Sequence, residues 1–185
     1  MIINIHGFTG SGDNSKYRWL AANIRNREIF SPTLDYCGRS PESILRLLEK
    51  RASSYLGSGP AGAPRLYVLG SSLGAFFARC LNLLFPEATT VLINPALAPF
   101  LTLRGYIDCK AYLALFAKFA YLDDAAGDDA RLHVIIGDAD ELIDHERMTK
   151  PLLPQGFKQL YVIRGGMHRL ELTPEVEDVL KSVFA

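Results

Sequence analysis

The chain has 185 residues, enough for one domain with a full hydrophobic core. Its 49% hydrophobic and 22% charged content is ordinary for a globular protein, and 20 basic residues balance 20 acidic ones. That neutrality argues against a nucleic-acid or anionic-membrane binder, and no apolar run reaches the length of a membrane span.

Met1 to Ile5 reads as a short buried strand. No basic region followed by a long apolar stretch opens the chain, so no signal peptide is expected and the expected address is the cytoplasm. The strand ends in the glycine-rich loop His6-Gly7-Phe8-Thr9-Gly10-Ser11-Gly12, which lacks the Gly-Lys-Ser/Thr of a P-loop. Ser15 is expected to cap a helix running to about Asn26, with Trp19, Leu20 and Ile24 on one face. Ile29 to Pro32 reads as a second strand near a sheet edge, because proline cannot donate to a ladder. Ser40-Pro41-Glu42 opens a helix through about Tyr55, and Gly57 to Pro64 is a loop by composition.

Leu66 to Gly70 is the third strand, and a helix follows to about Phe85 before Pro86 stops it. Thr89 to Ile93 is the fourth strand, closed by Asn94-Pro95. Within residues 97–129, Tyr112, Leu115, Phe116, Phe119 and Leu122 recur at helical spacing. That pattern fits a core-packed helix or a lid whose apolar underside covers a site, so the segment is a candidate helical insertion in a single domain spanning 1–185. Leu132 to Ile136 is the fifth strand, Asp144 caps a short helix through Lys150, Gln159 to Ile163 is the sixth strand, and Thr173-Pro174-Glu175 opens the last helix. Strands alternating with helices predict an α/β fold of about six mostly parallel strands with helices on both faces. Functional groups then belong at the carboxyl ends of the strands. Three cysteines, Cys37, Cys80 and Cys109, have neither CxxC nor His-paired spacing, which argues against a disulfide framework or a metal site and fits a reducing compartment.

The stretch that carries chemistry is Gly70-Ser71-Ser72-Leu73-Gly74, set between a predicted strand and a predicted helix. Gly-x-Ser-x-Gly in that setting is a nucleophile elbow: the serine occupies a strained turn, and Gly70 and Gly74 leave room for neighbouring strand and helix. The frame selects Ser72, because Ser71 would be flanked at the same spacing by Leu69 and Leu73. A serine hydroxyl needs a base, and histidine suits because it titrates near working pH. Of the four histidines, His133 lies within a strand, His145 near a helix start where it is expected to be solvated, and His6 in the first loop. His168 alone follows the last strand after a Gly-Gly turn. A carboxylate must then orient that imidazole. The loop after the fifth strand offers Asp138, Asp140, Glu141 and Asp144; Asp140 is favoured, since Asp138 adjoins the strand end and Asp144 has a capping task. The oxyanion would be met by the backbone amides of Leu73 and Phe8. Phe8, Phe76, Phe100 and Phe116 are candidates for an apolar acyl pocket, and His6 is a further candidate at its edge.

With these pieces in place the sequence resembles the α/β-hydrolases, and more narrowly the small bacterial YqiA-like esterases, over nearly its whole length. The resemblance rests on His6-Gly7-Phe8 with Ser15-Lys16, the Gly-Ser-Ser-Leu-Gly elbow, Asn94-Pro95-Ala96 with Pro99-Phe100, Asp140-Glu141-Leu142-Ile143-Asp144, and Gly165-Gly166-Met167-His168. It implies hydrolysis of a small-molecule ester or thioester without a cofactor, by a triad of Ser72, Asp140 and His168. The loop from Thr9 to Asn14 and the segment from Leu101 to Asp129 depart from the family pattern. The expectation is a serine esterase. An acyl-CoA or carrier-bound acyl thioesterase with a basic rim near Arg39 or Arg104 is the rival within the class, and a non-catalytic binding protein on the same fold is the rival outside it.

Overall fold

The computed structural model describes residues 1–57, 65–123, 130–154 and 156–184, without the side chains of 121–123. Beyond Gly57 the expected Gly-Pro loop lies outside the described residues, as do residues 124–129 of the expected insertion. In chain order the elements are β1 (Ile2–Ile5), α1 (Ser15–Asn23), β2 (Ile29–Phe30), α2 (Pro41–Gly57), β3 (Tyr67–Ser71), α3 (Leu73–Leu84), β4 (Thr89–Ile93), α4 (Pro99–Thr102), α5 (Cys109–Asp123), β5 (Leu132–Gly137), α6 (His145–Met148), a 3₁₀ turn (Lys150–Leu152), β6 (Leu160–Ile163) and α7 (Pro174–Phe184).

The strands form one six-stranded sheet in the order β2-β1-β3-β4-β5-β6, every neighbouring pair parallel. Parallel neighbours need crossovers, and helices cover both faces. Strand period two divides the apolar residues. Ile3 and Ile5, Val68, Leu92, and Val134 with Ile136 pack with Leu48 of α2, Phe77 of α3 and Tyr112 of α5. Their neighbours Ile2, Leu69, Val91 with Ile93, and Ile135 pack on the other face with Leu20 of α1 and Leu180 of α7. Each fully buried side chain of this kind contributes about 1.5–3 kcal/mol, so the two clusters hold the strand ends in fixed register.

Local signals act as the residue types require, with small departures. Ser40 Oγ accepts the Ser43 amide at 3.3 Å ahead of Pro41, the first residue of α2. At α1 the cap is Asn14 rather than Ser15: its side chain accepts the Tyr17 amide at 3.0 Å. The short β2 lies at a sheet edge. Helix α5 buries Tyr112 and Leu115 against the core, with Phe116 and Phe119 partly buried beside them. Among the described residues no helix is long and apolar enough to cross a membrane.

The β3–α3 turn is built by close approach. A Cβ at Gly70 would stand 2.6 Å from that of Ala78, and one at Gly74 would overlap the carbonyl oxygen of Ile5. Helix α3 can therefore press its first turn onto β1 only through a glycine. Gly74→Ala is expected to lose about 3 kcal/mol or more and to lower Tm by roughly 6–12 °C, measured by thermal unfolding. An unchanged Tm would contradict this packing.

Candidate active site

Ser72 sits between β3 and α3 at φ 52°, ψ −121°, a region an L-residue occupies only when the surroundings force it. The surroundings do so through backbone bonds: the Ser72 amide donates to the Ile93 carbonyl at 2.9 Å, and its own carbonyl accepts the amides of Ala75 (3.0 Å) and Ala96 (3.1 Å). The result turns the hydroxyl toward His168, whose Nε2 lies 3.0 Å from Oγ. His168 Nδ1 donates to Asp140 at 2.9 Å from Oδ2 and 3.1 Å from Oδ1. The Asp140 side chain is 1% exposed and that of His168 13%.

Asp140 also accepts the amides of Leu142 and Ile143, each at 2.9 Å from Oδ1. Burial opposes ionisation of this carboxyl, but the bonds from His168 and these amides outweigh it and hold the pKa below the ordinary aspartate value. The other acids of the loop are engaged elsewhere. Asp138 accepts the Gly165 amide at 2.6 Å, and Asp144 caps α6 by accepting the Arg147 amide. Glu141 Oε2 accepts the His168 amide at 2.9 Å, which lowers its pKa and braces the loop that carries the imidazole.

The Phe8 loop passes directly over the serine: a Cβ on Gly7 would lie 3.1 Å from Ser72 Cβ. Among the described residues, neither the Phe8 amide nor the Leu73 amide donates to a backbone carbonyl outside the helices and strands, and Leu73 is the first residue of α3, where no intrahelical acceptor exists. Leu73 directly follows the serine at the N-terminus of α3, and Phe8 lines the same cavity as Ser72.

Ser72 and His168 open into a cavity of about 830 Å³ whose apolar walls include Phe8, Leu103 and Leu142, with Lys16 and Arg169 among its polar ones. Lys16 Nζ donates to the Leu170 carbonyl at 2.6 Å, and burial lowers its pKa. His6 borders the same cavity, but its ring is fixed: Nδ1 donates to the Gly7 carbonyl at 2.7 Å, Nε2 accepts the Leu34 amide at 2.8 Å, and burial depresses its pKa. Phe76 and Phe116 line a separate cavity of about 300 Å³, and Phe100 packs against Phe116 with centroids 5.4 Å apart. Arg39 and Arg104 do not border the Ser72 cavity. His133 is remote from these groups, stacked on Tyr161.

Two site features escaped the sequence. Asn94, buried at φ 41°, donates from Nδ2 to the carbonyls of Met167 (2.9 Å) and His168 (3.0 Å), while Oδ1 accepts the Gly137 amide at 2.7 Å. One side chain at the end of β4 thus ties the end of β5 to the His168 loop. Asparagine suits the place because it tolerates this backbone conformation and offers both a donor and an acceptor. The other is His145, expected in solvent but buried, with Nε2 2.9 Å from Asp140 Oδ2. The His145–Thr149 spacing of one helical turn was the available signal.

A family model covers residues 1–181. The chain belongs to the uncharacterised protein family UPF0227. No curated protein sequence matches this UPF0227 member. Among solved structures it is similar to Est1E from Butyrivibrio proteoclasticus, with a TM-score of 0.68 and 16% identity over 99% of this chain and 84% of that one. It is similar to the Paleococcus ferrophilus monoacylglycerol lipase, with a TM-score of 0.68 and 14% identity over 99% and 91% of the two chains. It also resembles MGS-MChE2, an α/β hydrolase enzyme from a lagoon-sediment metagenome in Morocco, with a TM-score of 0.65 and 19% identity over 99% and 89%. The UPF0227 chain has the α/β-hydrolase fold, as the sequence resemblance implied.

Proposed function

We propose that this protein is a serine hydrolase that cleaves carboxylic esters through an acyl-enzyme intermediate. The observation that carries the reading is the continuous hydrogen-bonded line from Ser72 Oγ through His168 to Asp140, at 3.0 and 2.9 Å. Oγ attacks the ester carbonyl carbon as His168 Nε2 takes the hydroxyl proton; the carbonyl oxygen becomes an oxyanion held by the Phe8 and Leu73 amides. As the intermediate collapses, the bond to the alkoxide breaks and His168 returns the proton to the leaving oxygen. Water then gives a proton to His168, its oxygen attacks the acyl carbon, and the acid departs as Ser72 recovers its proton. Asp140 keeps the imidazole in the tautomer that presents a bare Nε2 to the serine and stabilises the cation formed in between.

The esterase and lipase names of the fold neighbours support this class of chemistry, and Phe8, Leu103 and Leu142 offer apolar surface to an acyl or alcohol group. The free state of Cys37, Cys80 and Cys109 supports a cytoplasmic address. A panel of p-nitrophenyl esters from acetate to octanoate, run beside the matching thioesters, tests the reading. The expected result is turnover of short esters with an initial burst of p-nitrophenol. Turnover of thioesters alone would move the assignment to a thioesterase, and folded protein inert toward both series would contradict it.

A further inference from the structure

Asp140 Oδ2 has two imidazole partners. It accepts from His168 Nδ1 at 2.9 Å, and it faces His145 Nε2 at 2.9 Å. The His145 side chain is 5% exposed. Its Nδ1 lies 2.8 Å from Thr149 Oγ1, and that oxygen lies 3.1 Å from the Pro95 carbonyl. We propose that His145 is a positioning residue for Asp140: its Nε2–H donates to Oδ2 and, by taking part of that oxygen's charge, sets how strongly the carboxylate holds His168. The catalytic consequence rests on the serine-hydrolase reading above; the bond itself does not.

A proton count fixes the roles. An ionised carboxylate has no hydrogen, so contact at this distance requires one on Nε2. The Thr149 hydroxyl carries a single hydrogen. When the ring is neutral, Nδ1 is bare and the hydroxyl donates to it. When the ring is protonated, Nδ1–H donates to the hydroxyl oxygen, and the hydroxyl hydrogen turns to the waiting Pro95 carbonyl. Both states keep Nε2–H on Asp140. Burial depresses His145, against the pull of Asp140, which favours the neutral ring at working pH. The titratable groups acting on the ring are Asp140, His168 and Asp144. Of the other acids around it, Glu146 is held by Lys150, Glu141 by the His168 amide and Asp138 by the Gly165 amide.

Loss of the His145 bond would not free Asp140, because Oδ1 stays pinned by the Leu142 and Ile143 amides. The carboxylate would keep its place and carry more charge toward His168. The Nδ1–H of His168 would then be held more tightly. Pro95, whose carbonyl oxygen lies 3.1 Å from the Thr149 hydroxyl oxygen, adjoins Asn94, which grips the His168 loop. One turn after β4 therefore lies against both the His145–Thr149 pair and the His168 loop.

The test is ¹H–¹⁵N NMR of protein labelled with ¹⁵N-histidine, on wild type, His145→Leu and His145→Gln. Wild-type His145 is expected to show a protonated Nε2 throughout its titration. In His145→Leu the proton resonance of the His168 Nδ1–H is expected to move downfield, as it does when a hydrogen bond to a carboxylate strengthens. In His145→Gln, whose amide N–H can stand where Nε2–H stood, that resonance should stay close to its wild-type position. A bare Nε2 on wild-type His145 overturns the proposal, as does a His168 Nδ1–H resonance that stays or moves upfield in folded His145→Leu. If the leucine variant does not fold, the wild-type Nε2 signal and the glutamine rescue decide alone. These NMR readouts need no turnover, so a failed ester assay would sink the hydrolase reading while the His145–Asp140 bond stood or fell by itself.

Discussion

Ser72→Ala is expected to cut kcat for ester hydrolysis by about a million-fold, leaving only what binding and the oxyanion donors supply. The magnitude follows from the way the group is built. Ser72 Oγ stands 3.0 Å from His168 Nε2, and the backbone at φ 52° aims it there at the cost of strain. Alanine can take the same backbone conformation, so the fold should survive with a Tm close to wild type. Ser71→Ala is the control: Ser71 is the last residue of β3 and has no bond to His168, so its removal should leave most of the activity. Progress curves with p-nitrophenyl acetate check both. A Ser72→Ala protein retaining a tenth of wild-type kcat would contradict the assignment of the nucleophile.

Asp140→Asn is expected to lower kcat about ten-thousand-fold with KM little changed. The asparagine oxygen can keep the Leu142 and Ile143 amides, which places its NH₂ where Oδ2 now stands. That NH₂ faces His168 Nδ1 and His145 Nε2. A donor there selects the His168 tautomer with a bare Nδ1 and a hydrogen on Nε2, and such a ring cannot accept the serine proton. The geometry would look intact while the base is lost. Steady-state kinetics on the folded variant measure the effect; a loss of less than tenfold would assign the orienting role to another acid.

The parts of the fold that lay open in the sequence are those set by local rules. Strand runs such as Thr89 to Ile93, the Ser40-Pro41-Glu42 start and the glycines spaced around Ser72 each carry their own physical signal, and the chain order of Ser72, Asp140 and His168 follows from strand ends alone. What could not be read depends on contacts between distant segments. His145 looked exposed because it follows a capping aspartate. It is buried because Thr149, to which its ring is bonded, packs against Pro95, 54 residues earlier, and because Asp140 bonds the other ring nitrogen. Asn94 was visible as part of Asn-Pro-Ala, but its grip on residues 167 and 168 exists only once β4, β5 and β6 lie side by side. Phe76 and Phe116 are large apolar side chains of the kind that line acyl pockets, yet α3 and α5 point them into a different cavity from the one beside Ser72.

The most direct measurement of the central claim is labelling of the folded protein with a fluorophosphonate, followed by mass spectrometry of the modified peptide. Such a probe phosphonylates a serine only when a base activates it and an oxyanion site receives the phosphoryl oxygen. The account predicts one stoichiometric adduct, on Ser72, absent from Ser72→Ala and slowed in Asp140→Asn. An adduct on Ser71, or no adduct on folded wild type, would contradict it.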